Sequence, residues 1–259
     1  DKAYHNTGVV SNTADILNEW ESAAPAFRRA RRLLTENMSY GSGEREKLDL
    51  FLPELSPPKG LMFFIHGGYW LKFDKSYFSH FAEGALLRGY AVAMPSYDLK
   101  PQADMMTITS QMEQALMCAV EHVGGPVFIS GHSAGGHLAA MLIREENQLS
   151  KMVKDRIRRV MGISGVYELG PLTNTTMNDE FKFSDVELQT QSPMRLNKMQ
   201  DPEFVSWVGG DELNEFIRQS EYQAKVWESP YIPAAGKNHF TVIEDLRDPA
   251  SSMLNTLFA

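Results

Sequence analysis

Pro126-Val127-Phe128-Ile129-Ser130 runs directly into Gly131-His132-Ser133-Ala134-Gly135, and then into Gly136-His137-Leu138-Ala139-Ala140-Met141-Leu142. The first five residues form a short apolar run, the signature of a strand buried on both faces of a parallel sheet. Residues 135–144 read as a helix. The pentapeptide between them has the form G-x-S-x-G, in which a strand turns sharply into a helix and leaves the serine hydroxyl presented at the sheet edge. Glycines two residues on either side keep Cβ atoms out of the crowded turn. Ser133 is therefore the expected nucleophile, and the N–H of Ala134, at a helix N-terminus, is placed to meet a developing oxyanion. Five residues with two glycines can also arise as a strand–helix turn capped by a serine. The flanking strand and helix are what favour the catalytic reading.

An activated serine also needs a second oxyanion donor, a base and an orienting acid. His66-Gly67-Gly68-Tyr69-Trp70 follows the apolar run of residues 60–65 at once. The bare backbones of Gly67 and Gly68 can approach a substrate and donate their N–H groups. Tyr69 and Trp70 are candidates for an aromatic pocket wall, with simple packing the competing reading. His66 precedes the elbow and reads as structural. The base must come later in the chain, after the acid. His239, in Gly236-Lys237-Asn238-His239-Phe240, is the only histidine beyond residue 137. Residues 203–208 lead into Gly209-Gly210-Asp211-Glu212, a strand running into a glycine turn. Asp211 is the expected acid and Glu212 its competitor, for which a helix N-terminal carboxylate is the plainer role.

Outward from these motifs, residues 60–65, 90–94, 126–130, 159–164, 203–208 and 231–235 read as short apolar strands. Helices fit residues 77–87, 105–123, 135–144 and 213–227. This alternation predicts a mostly parallel central sheet with helices on both faces. Residues 13–34 carry helical spacing with Pro25 as a break or a new helix N-terminus, residues 38–41 read as a turn, and residues 47–52 alternate like a strand. Residues 167–202 are polar and weakly periodic, and a stretch that long inside a compact domain is usually functional. They are read as a cap-like insertion in one domain spanning residues 1–259.

Composition narrows the class. The 259 residues are 43% hydrophobic and 22% charged, ordinary for a globular chain with a full core. The formal net charge of −8 argues against nucleic acid or an anionic membrane as partner and says nothing about the substrate, for which the motifs above point to a small molecule. The chain is compatible with a homodimer, on which the sequence is otherwise silent. Asp1-Lys2-Ala3-Tyr4 lacks the apolar core of a secretory leader, so a cytoplasmic location is expected. A single cysteine, Cys118, excludes an intrachain disulfide and reads as a small buried hydrophobe. Arg28-Arg29-Ala30-Arg31-Arg32 reads as a solvated helix face. His132 and His137 read as structural. No H-E-x-x-H or comparable spacing occurs, so neither a metal nor a cofactor is expected.

Several stretches resemble the kynurenine formamidase (arylformamidase) branch of the α/β-hydrolases, related to the hormone-sensitive-lipase-like esterases. They are Ala3-Tyr4-His5-Asn6, Tyr40-Gly41, Leu48-Asp49-Leu50-Phe51-Leu52-Pro53, His66-Gly67-Gly68-Tyr69-Trp70, and Gly131-His132-Ser133-Ala134-Gly135-Gly136-His137-Leu138. Gly210-Asp211-Glu212, Phe216-Ile217-Arg218-Gln219-Ser220 and Asn238-His239-Phe240 continue the likeness. The resemblance implies the α/β-hydrolase fold, a Ser133–Asp211–His239 triad, and an oxyanion hole from Gly67, Gly68 and Ala134. It further implies hydrolysis of an aryl formamide such as N-formylkynurenine, a step of tryptophan catabolism. A carboxylesterase of short acyl esters would use the same residues. A binding protein without catalysis would ordinarily lack a triad member.

Overall fold

Every short apolar run from residue 60 onward is a strand of one sheet. A computed structural model of the chain describes residues 1–8, 10, 12–54 and 56–259. The strands are β1 (Leu34–Ser39), β2 (Lys47–Phe51), β3 (Leu61–Ile65), β4 (Ala91–Pro95), β5 (Val127–His132), β6 (Ile157–Ile163), β7 (Glu203–Gly209) and β8 (Tyr231–Ala234). They lie in the order β1-β2-β4-β3-β5-β6-β7-β8. The β1–β2 and β2–β4 pairs are antiparallel, and every pair from β4 to β8 is parallel. This is the α/β-hydrolase fold.

The two-residue period of the strands sorts their side chains between two cores. Leu61, Phe63 and Ile65 of β3, with Val127 and Ile129 of β5, face the helices Met105–His122 and Ala134–Met141. Met62 and Phe64, with Phe128, face the opposite layer, built from Trp20, Phe78, Phe81, Leu246 and Leu254. Both faces of the sheet are covered, which is why its strands lack polar alternation.

The N-terminal third departs from the sequence reading at three points. Pro25 lies inside a continuous helix, Thr13–Ala30, rather than breaking it. Residues 34–39 form β1, an edge strand with mostly exposed side chains and hence little apolar signal. Arg28 does not join a solvated face. Its guanidinium pairs with the fully buried carboxylate of Asp49, which also accepts from the Asn37 N–H (2.8 Å) and lies 3.4 Å from Lys75 Nζ. A buried carboxylate must be paired, and this one pins the first helix to β2. Arg29 and Arg32 are exposed. Cys118 is half-buried, beside the Ser39 carbonyl.

Residues 167–202 hold short helical turns at Gly170–Asn174, Asn178–Phe181, Asp185–Thr190 and Pro193–Arg195. A buried ion pair, Lys100 Nζ to Glu187 Oε1 at 2.7 Å, ties this stretch to the loop after β4. Among the described residues no helix is long and apolar enough to cross a membrane.

Candidate active site

Ser133 sits between β5 and the helix Ala134–Met141 at φ 56°, ψ −117°, a conformation that L-residues avoid. The surroundings enforce it. The Ser133 N–H donates to the Ile163 carbonyl (2.8 Å). A Cβ on Gly131 would run into the Gly135 backbone, and one on Gly135 would run into the Ile65 carbonyl. Only glycine fits at either place. The strained turn then holds the hydroxyl at the C-terminal edge of the sheet.

His239 follows β8 on the next loop but one from the acid turn. Its Nε2 lies 3.1 Å from Ser133 Oγ, and its Nδ1 lies 2.7 Å from Glu212 Oε2. A carboxylate only accepts, so Nδ1 carries the proton and Nε2 is free to accept from the serine. Glu212 is completely buried at its side chain. Its Oε1 accepts from the Gly209 N–H (2.8 Å) and from the Ser164 hydroxyl. Ser164 stands at the end of β6 with φ 51° and its N–H bonded to the Trp207 carbonyl. The Glu212 carboxylate is thus held by two donors besides the histidine.

The expected acid, Asp211, is not there. Its side chain is exposed, and its N–H donates to the Lys237 carbonyl (2.9 Å). After Gly209-Gly210 the chain turns so that residue 211 faces solvent and residue 212 faces the histidine. The correction is a single residue, and the longer glutamate side chain spans the extra distance.

Gly67 packs against the His132 carbonyl and the Ser133 Cβ, at 2.9 and 3.1 Å from where its own Cβ would be. Gly68, at φ 114°, closes a turn in which its carbonyl accepts from the N–H groups of Leu71 (3.0 Å) and Lys72 (3.2 Å). Tyr69, Trp70 and Phe73 also have positive φ, between 55° and 71°, so strain is concentrated in this loop. Among the described residues, the N–H groups of Gly67, Gly68 and Ala134 have no protein acceptor beside the serine.

Tyr69 lines the cavity over Ser133 and donates its hydroxyl to the Tyr4 carbonyl (2.7 Å). Trp70 does not line it. Its backbone turn sends the indole inward, where it is fully buried against His137 (ring centroids 5.0 Å apart) and Phe181 (6.0 Å). The cavity, of about 310 Å³, takes its aromatic walls from Trp20, Phe73, Phe78 and Phe240. Thr176 and Met177 close it from the 167–202 stretch, and Tyr4, His5 and Asn6 from the N-terminus. Sequence reasoning assigned no role to these N-terminal residues. The one signal was Ala3-Tyr4-His5-Asn6, whose resemblance to a known branch had no function attached.

Of the other histidines, His66, His80, His132 and His137 are buried, and His5 and His122 are exposed. His132 Nε2 donates to the His239 carbonyl (2.8 Å), and burial holds its ring neutral, well below the ordinary range. His66 bonds the Gly67 carbonyl through Nδ1 (2.7 Å) and stacks on Tyr97, while His137 bonds the Gln191 carbonyl (2.7 Å); burial pushes both down to about 4. Glu19, His80 and Glu244, far apart in sequence, bring potential metal-ligand atoms within 4.8 Å of one another. There Arg247 Nη1 already lies 3.1 Å from both carboxylates.

Comparison with known proteins gives the chain's family. Residues 48–226 match the family model described as BD-FAE. The chain is 31% identical over 258 residues to a kynurenine formamidase of Salmo salar, covering 93% of this chain and 85% of that one. With the kynurenine formamidase of Danio rerio it shares 29% identity over 251 residues, 90% of this chain and 85% of the other. A solved structure from Silicibacter sp., provisionally described as a thioesterase, is 42% identical with a TM-score of 0.97 over 100% of this chain and 98% of its own. Esterase B of Lactobacillus rhamnosis, caught with a tributyrin phosphonate inhibitor, shares the fold at 17% identity and a TM-score of 0.69 over 94% of this chain and 91% of its own. The chain therefore belongs to the BD-FAE family of α/β-hydrolases and, within that fold, is a hydrolase of the kynurenine formamidase branch.

Proposed function

We propose that the protein is an arylformamidase that cleaves an aryl formamide such as N-formylkynurenine. His239 takes the proton of Ser133 as its oxygen attacks the formyl carbon, and Glu212 fixes the imidazole tautomer and steadies the imidazolium. The N–H groups of Gly67, Gly68 and Ala134 hold the oxyanion. Collapse breaks the C–N bond, and the proton on His239 goes to the leaving amine. Water, deprotonated by the same histidine, then releases formate from the serine.

One observation carries the reading: the unbroken Ser133–His239–Glu212 hydrogen-bond line opens onto a small aromatic-walled cavity. A flat anilide fits such walls, and a formyl group makes little demand on the space beside Ser133. Two relatives that are kynurenine formamidases over most of their length support it. The acidic net charge supports a small molecule over nucleic acid as ligand. The walls supplied by Thr176 and Met177 support residues 167–202 as a cap.

A carboxylesterase of short acyl esters is the second reading, favoured by the fold shared with esterase B. Side-by-side kcat/KM values for N-formylkynurenine and p-nitrophenyl acetate separate the two. The formamide is expected to be the better substrate, and Ser133→Ala to abolish both activities. Formamide turnover at background beside brisk ester cleavage would overturn the first reading in favour of the second.

A further inference from the structure

We propose that Lys72 reads a carboxylate on the leaving group, so that the preferred substrates are aryl formamides or esters bearing an acid. The inference rests on Ser133 reacting in this cavity, whether the acyl group is formyl or acetyl.

The lining includes six aromatic residues, and among the described residues Lys72 is its one Lys or Arg. Its ammonium has no ion-pair or hydrogen-bond partner among the described residues. It lies 5.1 Å from the ring centroid of Phe73, itself a lining residue, so the charge is kept beside the cavity. The carboxylate of Asp1, also on the lining, is already engaged by the Thr176 N–H (2.7 Å) and hydroxyl (3.1 Å). His132 on the same wall is held neutral by burial.

The root of the lysine is fixed relative to the reacting centre. Its N–H donates to the Gly68 carbonyl, and its own carbonyl fills the place a Cβ on Gly68 would need. One strained turn therefore carries both the proposed oxyanion donors and the cation. A carbonyl seated at Ser133 leaves the leaving group to run along the aromatic wall toward Lys72. The chain as a whole, at −8, repels an acid, and Lys72, an exposed residue on the cavity lining, offsets this locally.

The test is the preference ratio within matched pairs: 4-acetoxybenzoate over phenyl acetate, and N-formylkynurenine over formanilide, in kcat/KM. The ratio is expected to drop on the order of tenfold in Lys72→Met and further in Lys72→Glu, carried by KM, as for loss of a charged hydrogen bond. Lys72→Arg keeps the charge and should keep the ratio, which separates charge from packing on Phe73. High salt should lower the ratio in the unmutated enzyme. An identical ratio in the unmutated enzyme and all three variants overturns the proposal. Formamides left uncut while the ester pair still responds to Lys72 would sink the formamidase reading alone.

Discussion

The turn that presents Ser133 and the turn that presents Glu212 both follow a parallel strand through paired glycines, yet they are held by different forces. At the first, backbone atoms leave no room: Gly131 faces Gly135, and Gly135 faces the Ile65 carbonyl. At the second, the acid is held through its own oxygens, by the Ser164 hydroxyl, the Gly209 N–H and His239. Ser133 is thus positioned by sterics and Glu212 by hydrogen bonds. A steric constraint fails all at once, whereas a hydrogen-bonded one can be weakened a bond at a time.

Substitutions along the two turns should be graded accordingly. Ser133→Ala should cost roughly five to six orders of magnitude in kcat for p-nitrophenyl acetate, the range seen when a triad nucleophile is removed. Gly135→Ala should fall nearly as far for another reason. Its added methyl meets the Ile65 carbonyl, so the elbow must open, and a lowered melting temperature should accompany the lost activity. Glu212→Gln should reduce kcat by about 10⁴, the cost of the wrong imidazole tautomer, with the melting curve little changed. Ser164→Ala, which removes one of the carboxylate's two other donors, should reduce kcat by about tenfold. Asp211→Asn should stay within about twofold of the unmutated enzyme, since its side chain is exposed. If Asp211→Asn were the crippling variant and Glu212→Gln the mild one, the contrast between the turns would be broken.

The same physics explains what could be read from the chain. The elbow was legible because its glycines and apolar strand are local necessities, and the order serine, acid, histidine follows from the topology. The choice between Asp211 and Glu212 was not, because neighbouring residues in a tight turn face opposite ways and no periodicity says which. Tyr69 and Trp70 posed the same problem: both have positive φ, invisible in sequence, and only Tyr69 reaches the cavity. Arg28 looked like one member of a basic run, and its partner Asp49 is known only once the helix is laid on β2. The edge strand β1 escaped notice because exposed side chains erase the alternation that marks a strand.

Trp20, Tyr4 and Tyr69 wall the cavity, but the first two lie before residue 48, where the match to the BD-FAE model begins. The first helix, which carries Trp20, is pinned to the sheet by the Arg28–Asp49 pair and to the turn Thr241–Leu246 by the bond from Trp20 Nε1 to Glu244 Oε1 (2.6 Å). Part of the cavity wall thus lies outside the matched family region, while Tyr69, Lys72 and Phe73 tie the rest of it to the turn that carries Gly67 and Gly68.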